Sequence, residues 1–139
     1  MNNSLDRFLI AQEHSYGNAL REIRSGRKRS HWMWYIFPQI AGLGMSYTAQ
    51  LYAIKDIEEA RQYIAHPVLG ARLIEISQAL LTLDCSDATA VMGYPDDLKL
   101  RSCMTLFAQV SDDPMFDAVL AKFYGGTADA RTLELLSLT

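Results

Sequence analysis

Residues 67–83 read PVLGARLIEISQALLTL, the longest helical pattern in the chain. The apolar residues recur at intervals of three or four, as on one face of an α-helix: Leu69, Leu73, Ile76, Leu80 and Leu81. Pro67 suits the first turn of a helix, because the N–H that proline lacks would have no intrahelical partner there. The pattern predicts a helix from Pro67 to about Leu83, with an apolar face that other elements must cover.

Helical spacing continues on both sides of this segment, and no stretch shows the alternation of a convincing strand. Residues that favour helix starts precede the patterns: Ser46, Asp56, Pro95, Pro114 and Asp129. Glycines that can end helices follow them: Gly26, Gly93 and Gly125. The sequence therefore predicts an all-α fold, a compact single-domain bundle of about eight or nine short helices over residues 1–139.

The composition is that of a soluble globular protein. Half of the 139 residues are hydrophobic and 21% are charged, with a formal net charge of −3, which is unlike a disordered chain. No apolar run approaches the about 18–20 residues that a membrane span requires, and the N-terminal residues lack the pattern of a secretory signal. We therefore expect a cytoplasmic protein that folds on its own and has no membrane partner.

The two cysteines, Cys85 and Cys103, are too few for a disulfide framework. Neither lies in a spacing that binds metals, and the chain holds no complete dinucleotide fingerprint. We expect two buried thiols without a disulfide, and we predict no metal and no cofactor.

Residues 26–44, GRKRSHWMWYIFPQIAGLG, hold the densest set of chemically useful side chains. Ser30 can cap a short helix from His31 to Phe37, which Pro38 would end, and a strand is the alternative. Because the segment is apolar on all sides, it must be largely buried. The result is a buried aromatic element next to a cationic loop.

Positive charge is concentrated between residues 21 and 31, where five cations accompany one carboxylate and the net charge is +4. The whole chain carries −3, so the rest of the molecule is acidic. A local positive pole attracts a compact anion, whereas binders of extended nucleic acid usually spread basic residues over a face. The pattern predicts an anionic small molecule as partner, with nucleic acid as a weaker alternative.

Motifs are distributed over the chain: GRKRSHWMW at 26–34, FPQ at 37–39, GLG at 42–44, HPVLG at 66–70, RS at 101–102 and TLF at 105–107. Together with Ser46, Asp96 and Lys99 they resemble the family catalogued as domain of unknown function 1810, over essentially the whole chain. The resemblance implies a mainly helical single domain and brings no established activity. Some members carry the label calpastatin, but calpain inhibitors of that type are flexible chains poor in core-forming residues, unlike this one.

The basic and aromatic segment supplies most candidate ligand-binding residues: Arg27, Lys28, Trp34, Gln39, Gly42, Gly44 and Ser46. The cations can hold phosphate, Trp34 offers a stacking surface, and glycines before a helix start expose backbone N–H groups. Each group also has a structural interpretation. These are a solvated loop for the cations, core packing for Trp32, and a plain turn for residues 42–46.

A second cluster is predicted on one side of a later helix, where Asp96, Lys99 and Ser102 recur at intervals of three. Lys99 and Ser102 are further candidates for ligand binding. The structural alternative places Asp96 at a helix N-cap and pairs Asp97 with Arg101.

The candidate catalytic residues are His31 and Asp96. Cations beside His31 make its ring harder to protonate, as a general base near neutral pH requires. No nucleophile–base pair or metal cluster is legible, so the sequence leaves open whether the protein is an enzyme.

Two functions therefore stand beside each other. In the first, the chain binds a phosphate-bearing small molecule, such as a nucleotide or an ADP-ribose derivative, at residues 26–46. In the second, the same Arg/Trp-rich patch is a protein- or nucleic-acid-interaction surface. The first predicts a concavity lined by Arg27, His31, Trp34 and Gln39, and the second predicts the same residues on a convex surface. The ligand and the oligomeric state are left open.

Overall fold

The computed structural model describes residues 5–138, which form ten α-helices on short connectors. The helices are α1 (Asp6–Gln12), α2 (Tyr16–Arg24), α3 (Met33–Ile36), α4 (Tyr47–Leu51), α5 (Ile57–Ala65), α6 (Leu69–Leu81), α7 (Ala88–Met92), α8 (Asp96–Ala108), α9 (Met115–Tyr124) and α10 (Ala130–Leu136). These residues contain no strand, only an isolated parallel bridge between Ile40 and Ile54. The all-α prediction is confirmed, with a helix count slightly above the expected eight or nine.

The core forms around α6 and α8. Helix α8 packs against α7 and α9, and α6 packs against α2, α5 and α9. The predicted apolar face of α6 is buried at Leu69, Leu73, Ile76 and Leu80, and Leu81 packs against the same cluster from its edge. The helical period therefore placed the largest apolar stripe of the sequence at the centre of the molecule.

Three predicted N-caps hold their helices as expected. The side-chain oxygens of Ser46, Asp56 and Asp129 accept hydrogen bonds from backbone N–H groups in the first turns of α4, α5 and α10, at 2.9–3.1 Å. Each cap satisfies a donor that the helix itself cannot reach. These starts are local events, which explains why they are visible in the sequence.

The segment after Ser30 differs from its prediction. The helix spans Met33–Ile36 and not His31–Phe37, and Trp32 occupies the N-cap position without a side-chain cap. The Ser30 hydroxyl donates instead to a Glu22 carboxylate oxygen at 2.6 Å. A charged acceptor competes with the helix for this hydroxyl, so the predicted cap does not form.

The start of α6 is two residues later than predicted. His66 Nδ1 accepts from the backbone N–H groups of Val68 and Leu69 at 3.1 and 3.2 Å. This capping turn includes Pro67, and the helix begins at Leu69. With 13 residues, α6 equals α8 in length and is not longer than it.

Two further expectations were wrong. Cys85 is exposed, whereas Cys103 is buried and burial raises the pKa of its thiol. Asp97 and Arg101 do not form an ion pair. Arg101 donates hydrogen bonds to the Thr127 and Ala128 carbonyls, and Asp97 accepts a hydrogen bond from the Thr89 hydroxyl. The prediction that both cysteines are free agrees with the structure.

Asp96 is also not an N-cap. Pro95 occupies that position, and Asp96 is the first residue of α8. Its carboxylate is thereby free to form ion pairs with Lys28 and Lys99.

Two short helices lie at the periphery. Neither α4 nor α10 contributes a fully buried apolar side chain. The connector before α4 approaches α10, because a Cβ on Gly42 would lie 3.1 Å from a methyl carbon of Leu135. The core helix α8 is thus flanked by two surface elements, with a cleft between them.

Within residues 5–138, none of the helices has the length and apolar character needed to cross a bilayer.

Candidate ligand cleft on helix α8

The cleft has a volume of about 270 Å³. It lies between α8, the connector before α4 and the start of α10. Its lining residues are Gln39, Leu43, Gly44, Pro95, Leu98, Lys99, Arg101, Ser102 and Asp129. Aliphatic groups and a few polar groups converge here, which is the usual composition of a small-molecule site.

Helix α8 supplies one wall because of its period. Pro95, Leu98, Lys99 and Ser102 are spaced three and four residues apart, so they lie on one face. Ser102 is buried at the base of this face, and its hydroxyl donates to the Leu98 carbonyl at 3.2 Å. The wall therefore combines a lysine head group with apolar neighbours.

Lys99 belongs to a charge cluster in which two lysines share one carboxylate. Asp96 Oδ2 lies 2.9 Å from Lys28 Nζ, and Asp96 Oδ1 lies 3.4 Å from Lys99 Nζ. The Lys28 side chain is 8% exposed and that of Lys99 is 26% exposed. The cluster carries one positive charge in excess, and Lys99 is its more accessible member.

Trp34 lies under the same lysine. Lys99 Nζ sits 5.3 Å from the centroid of the Trp34 ring, a cation–π distance. The face of the ring that Lys99 covers is not open to a stacked base. Trp34 thus contributes to the site by positioning Lys99.

The opposite wall is held in place from two directions. Arg101 donates to the carbonyls of Thr127 and Ala128 at 2.9 and 3.1 Å. The backbone N–H of Asp129 donates to the buried Thr105 hydroxyl at 2.9 Å. These three bonds tie the start of α10 to α8, so the position of Asp129 is well defined.

Only one of the two oxygens of the Asp129 carboxylate accepts hydrogen bonds from the described residues. Oδ2 accepts from the N–H and the hydroxyl of Thr132 at 2.9 and 2.6 Å. Among residues 5–138, nothing donates a hydrogen bond to Oδ1. A residue that lines the cleft therefore keeps one carboxylate oxygen available as an acceptor.

Gln39 forms the third side. Its carbonyl accepts from the Ile54 N–H, and the Ile54 carbonyl accepts from the Ala41 N–H, both at 2.8 Å. In the part of the chain that the structure describes, its side-chain amide has no hydrogen-bond partner. Gln39 and Gly44 also separate the cleft from a cavity of about 10 Å³ beside Trp34, which is the size of one water molecule.

The basic loop is organised by Glu22, a residue that the sequence did not single out. Its buried carboxylate accepts five hydrogen bonds at 2.6–3.0 Å from Asn18, the Arg29 and Ser30 N–H groups, the Ser30 hydroxyl and the Trp32 indole. The backbone N–H groups of Arg29 and Ser30 are thus already occupied by an internal anion. Trp32 is a core residue, as its structural interpretation proposed.

Glu22 is ionised over the whole physiological range. Burial by itself raises its pKa, but the hydrogen bonds from Ser30, the Arg29 N–H and Trp32 outweigh burial and lower the pKa to about 2. Each of these donors stabilises the charged form. The loop therefore rests on a permanent negative charge.

Lys28 connects the loop to the cleft. Its N–H donates to the Val91 carbonyl of α7 at 2.7 Å, and its Nζ donates to the Ser30 carbonyl at 2.5 Å. These contacts point the side chain towards Asp96.

The predicted site residues fall into four groups. Gln39, Gly44, Lys99 and Ser102 line the cleft, and Trp34, Asp96 and Lys28 support it through Lys99. Ser46 caps α4, and Gly42 borders a separate depression. Arg27 and His31 are exposed and line none of these cavities.

Sequence reasoning missed Arg101 and Asp129 as lining residues. Asp129 was recognised as a helix start, but its distance from α8 along the chain hid its second role. Arg101 is two residues after Lys99, a spacing that does not place two side chains on one helix face, so the sequence offered no signal for a shared site.

The described residues form a small all-helical fold with a surface pocket that combines aliphatic and charged groups. The chain belongs to the family described as Protein of unknown function (DUF1810), which matches residues 2–136. It is 47% identical to the conserved hypothetical protein Rv1873 from Mycobacterium tuberculosis, whose crystal structure superposes with a TM-score of 0.95 over 97% of both chains. No curated protein sequence matches the chain.

Proposed function

We propose that the protein binds a phosphate-bearing small molecule, such as a nucleotide or an ADP-ribose derivative, in the cleft on α8. The observation that carries this proposal is the excess positive charge around Asp96. Lys28 and Lys99 share one carboxylate there, and Arg101 lies on the same cleft. A doubly charged phosphate complements this arrangement.

Lys99 can change partners at low cost. Lys28 is closer to Asp96 than Lys99 is, and it is more deeply buried. When Lys99 binds a phosphate, Asp96 therefore keeps Lys28 as its counter-ion, and no buried charge is left unpaired. The role of Lys28 is to hold Asp96 neutralised while Lys99 binds.

The size of the cleft limits what it holds. About 270 Å³ is slightly below the range of drug-sized pockets, so the cleft accommodates a phosphate and one adjoining group. The rest of a larger ligand would extend past Gly44 into a depression of about 440 Å³ that Gly42, Met45 and Gln50 help to line.

A thermal-shift screen with nucleotides, sugar phosphates and ADP-ribose derivatives tests the proposal. A ligand at 100 times its dissociation constant stabilises the folded state by about 2.7 kcal/mol. Lys99→Met keeps the length and packing of the side chain and removes its charge. We expect it to weaken binding about 10- to 100-fold, because it removes a charge-assisted contact.

Two controls accompany this variant. Lys55→Met removes an exposed lysine outside the cleft and should leave affinity unchanged. Arg27→Ala tests the basic loop itself and should also leave affinity unchanged. The absence of any shift across the ligand panel, or equal loss in Lys99→Met and Lys55→Met, would contradict a phosphate site at Lys99.

The alternative is an interaction surface for an acidic partner. Among the described residues, Arg24, Arg27 and Arg29 are exposed and form no ion pair, and His31 lies next to them in sequence, also exposed. This cationic surface does not include Trp32, which is buried. Loss of partner binding in Arg27→Ala, with ligand binding in the cleft intact, would favour this second function.

A further inference from the structure

The lining of the cleft contains a carboxylate as well as two cations. Lys99 and Arg101 attract an anion, whereas the free Oδ1 of Asp129 repels one. A ligand that is negative throughout does not complement both the cations and the carboxylate. The part of the ligand near Asp129 must therefore donate a hydrogen bond.

A hydroxyl suits this position better than an ammonium group. Two cations line the same cleft and would repel a third. Gln39 offers both a donor and an acceptor without a protein partner among the described residues, and a hydroxyl can use both. Neighbouring hydroxyls on one ring could bind the carboxylate and the amide together.

The apolar residues of the cleft also favour a ring that carries hydroxyl groups. Its lining contains Leu43, Pro95 and Leu98 but no aromatic ring from the described residues, and Lys99 covers a face of Trp34. A nucleobase would find no stacking surface inside the cleft. The C–H groups of a sugar ring fit against aliphatic side chains.

We propose that the cleft selects a sugar phosphate, with the sugar hydroxyls held by Asp129 and Gln39 and the phosphate held by Lys99. This inference rests on the proposed function and adds the ligand class. In a nucleotide or an ADP-ribose derivative, the ribose phosphate part would occupy the cleft. Acidic side chains bind ribose hydroxyls in the same way in dinucleotide sites.

Asp129 is placed to discriminate between ligands because it is rigid. Its backbone is fixed by Thr105, its Oδ2 is fixed by Thr132, and the preceding carbonyls are fixed by Arg101. Because the backbone is tethered and Oδ2 is held by Thr132, the side chain keeps its free oxygen in one direction, and a ligand does not have to order it.

The test is isothermal titration calorimetry with two probes, ribose 5-phosphate and inorganic phosphate. The key variant is Asp129→Asn, because asparagine caps a helix about as well as aspartate does. With its oxygen on the Thr132 N–H, asparagine turns an NH₂ group towards the cleft in place of the acceptor. We expect ribose 5-phosphate affinity to fall at least about tenfold, and phosphate affinity to stay equal or rise.

The matched control is Asp56→Asn, which makes the same change at the N-cap of α5, outside the cleft. It should affect neither probe. Gln39→Leu provides a second route if Asp129→Asn folds poorly, since the Gln39 side chain bonds to no described residue. It should likewise weaken ribose 5-phosphate more than phosphate.

The outcomes separate the two proposals. Equal affinity of the wild type for both probes, or equal loss of both in Asp129→Asn, overturns the sugar assignment and leaves the phosphate site standing. Binding of neither probe overturns the phosphate site and the sugar assignment together.

Discussion

Glu22 shows how one carboxylate can set the shape of a loop that is basic in sequence. Residues 27–29 carry three cations, yet their backbone is organised by a buried anion that accepts from Arg29, Ser30 and Trp32. Because Lys28 leaves this loop to reach Asp96, Glu22 also controls the position of one member of the charge cluster. Its effect on the cleft is therefore indirect and structural.

Glu22→Gln should destabilise the protein by about 3 kcal/mol at pH 7. The amide oxygen can replace only one of the two carboxylate oxygens, so the NH₂ group would face hydrogen-bond donors at the other position. Urea denaturation measures the change. Glu58→Gln on the exposed face of α5 is the control and should be neutral.

The pH dependence of this difference has a definite sign. Folding lowers the pKa of Glu22 from 4.5 to about 2, so its contribution is complete above pH 4.5 and disappears as the pH falls towards 2. The stability gap between the wild type and Glu22→Gln should shrink over this interval. A gap that stays constant would show that the charge of Glu22 is not the cause.

At the scale of elements, α5 and α6 come very close together at Gly70. Among the glycines in the described part of the chain, Gly70 has the shortest distance between an added Cβ and a neighbouring atom. A Cβ on Gly70 would lie 2.1 Å from the Ile64 carbonyl oxygen and 2.9 Å from the Ile64 carbonyl carbon. These are backbone atoms and cannot rotate away. The path of the chain around Pro67 therefore requires a residue without a side chain at position 70.

Gly70→Ala should cost about 3 kcal/mol, because the two helices must separate to admit the methyl group. Gly17→Ala is the matched change on α2, where nothing lies within 4 Å of the new Cβ. There we expect a gain of about 0.5 kcal/mol from helix propensity. Thermal denaturation of both variants compares them. Similar effects of the same sign would contradict the close approach.

At the scale of the molecule, nearly all of the buried apolar side chains within residues 5–138 join into one cluster. It includes residues from the first half of the chain, such as Phe8 and Ile36, and from the second half, such as Phe107 and Phe116. Phe107 contacts both Tyr63 and Phe116, which links α5 to α9 through α8. The core is therefore built jointly by both halves of the chain.

We therefore predict a single cooperative unfolding transition. Far-UV circular dichroism reports the helices, and tryptophan fluorescence reports the buried Trp32. Because both signals depend on the same core, their denaturation curves should superimpose. Two separated transitions would show that the chain contains independent units.

The accuracy of the sequence predictions depended on how local each feature is. The caps at Ser46, Asp56 and Asp129 involve donors three residues away, and all three were predicted. The helix predicted after Ser30 was misplaced because its cap residue bonds to Glu22 on another helix. Hydrogen bonds between groups that are close in sequence can be predicted from the sequence, whereas a competing partner on a distant helix cannot.

The candidate site divides in the same way. The recurrence of Asp96, Lys99 and Ser102 on one helix face follows from the helical period, so the amino-acid sequence is enough to indicate this cluster. The pairing of Asp96 with Lys28 joins residues from α8 and from the loop after α2. No spacing rule connects them, and the sequence suggested Arg27 and His31 as the partners of the ligand instead.

The sequence by itself determined that the protein is helical, where most helices begin and which faces are apolar, because period and capping act over a few residues. Only the tertiary structure decided which charges neutralise one another and where a ligand can enter. Those properties arise when the connector at Gln39, the face of α8 and the cap at Asp129 come together. Their distances are set by the packing of the whole core, which no short segment encodes.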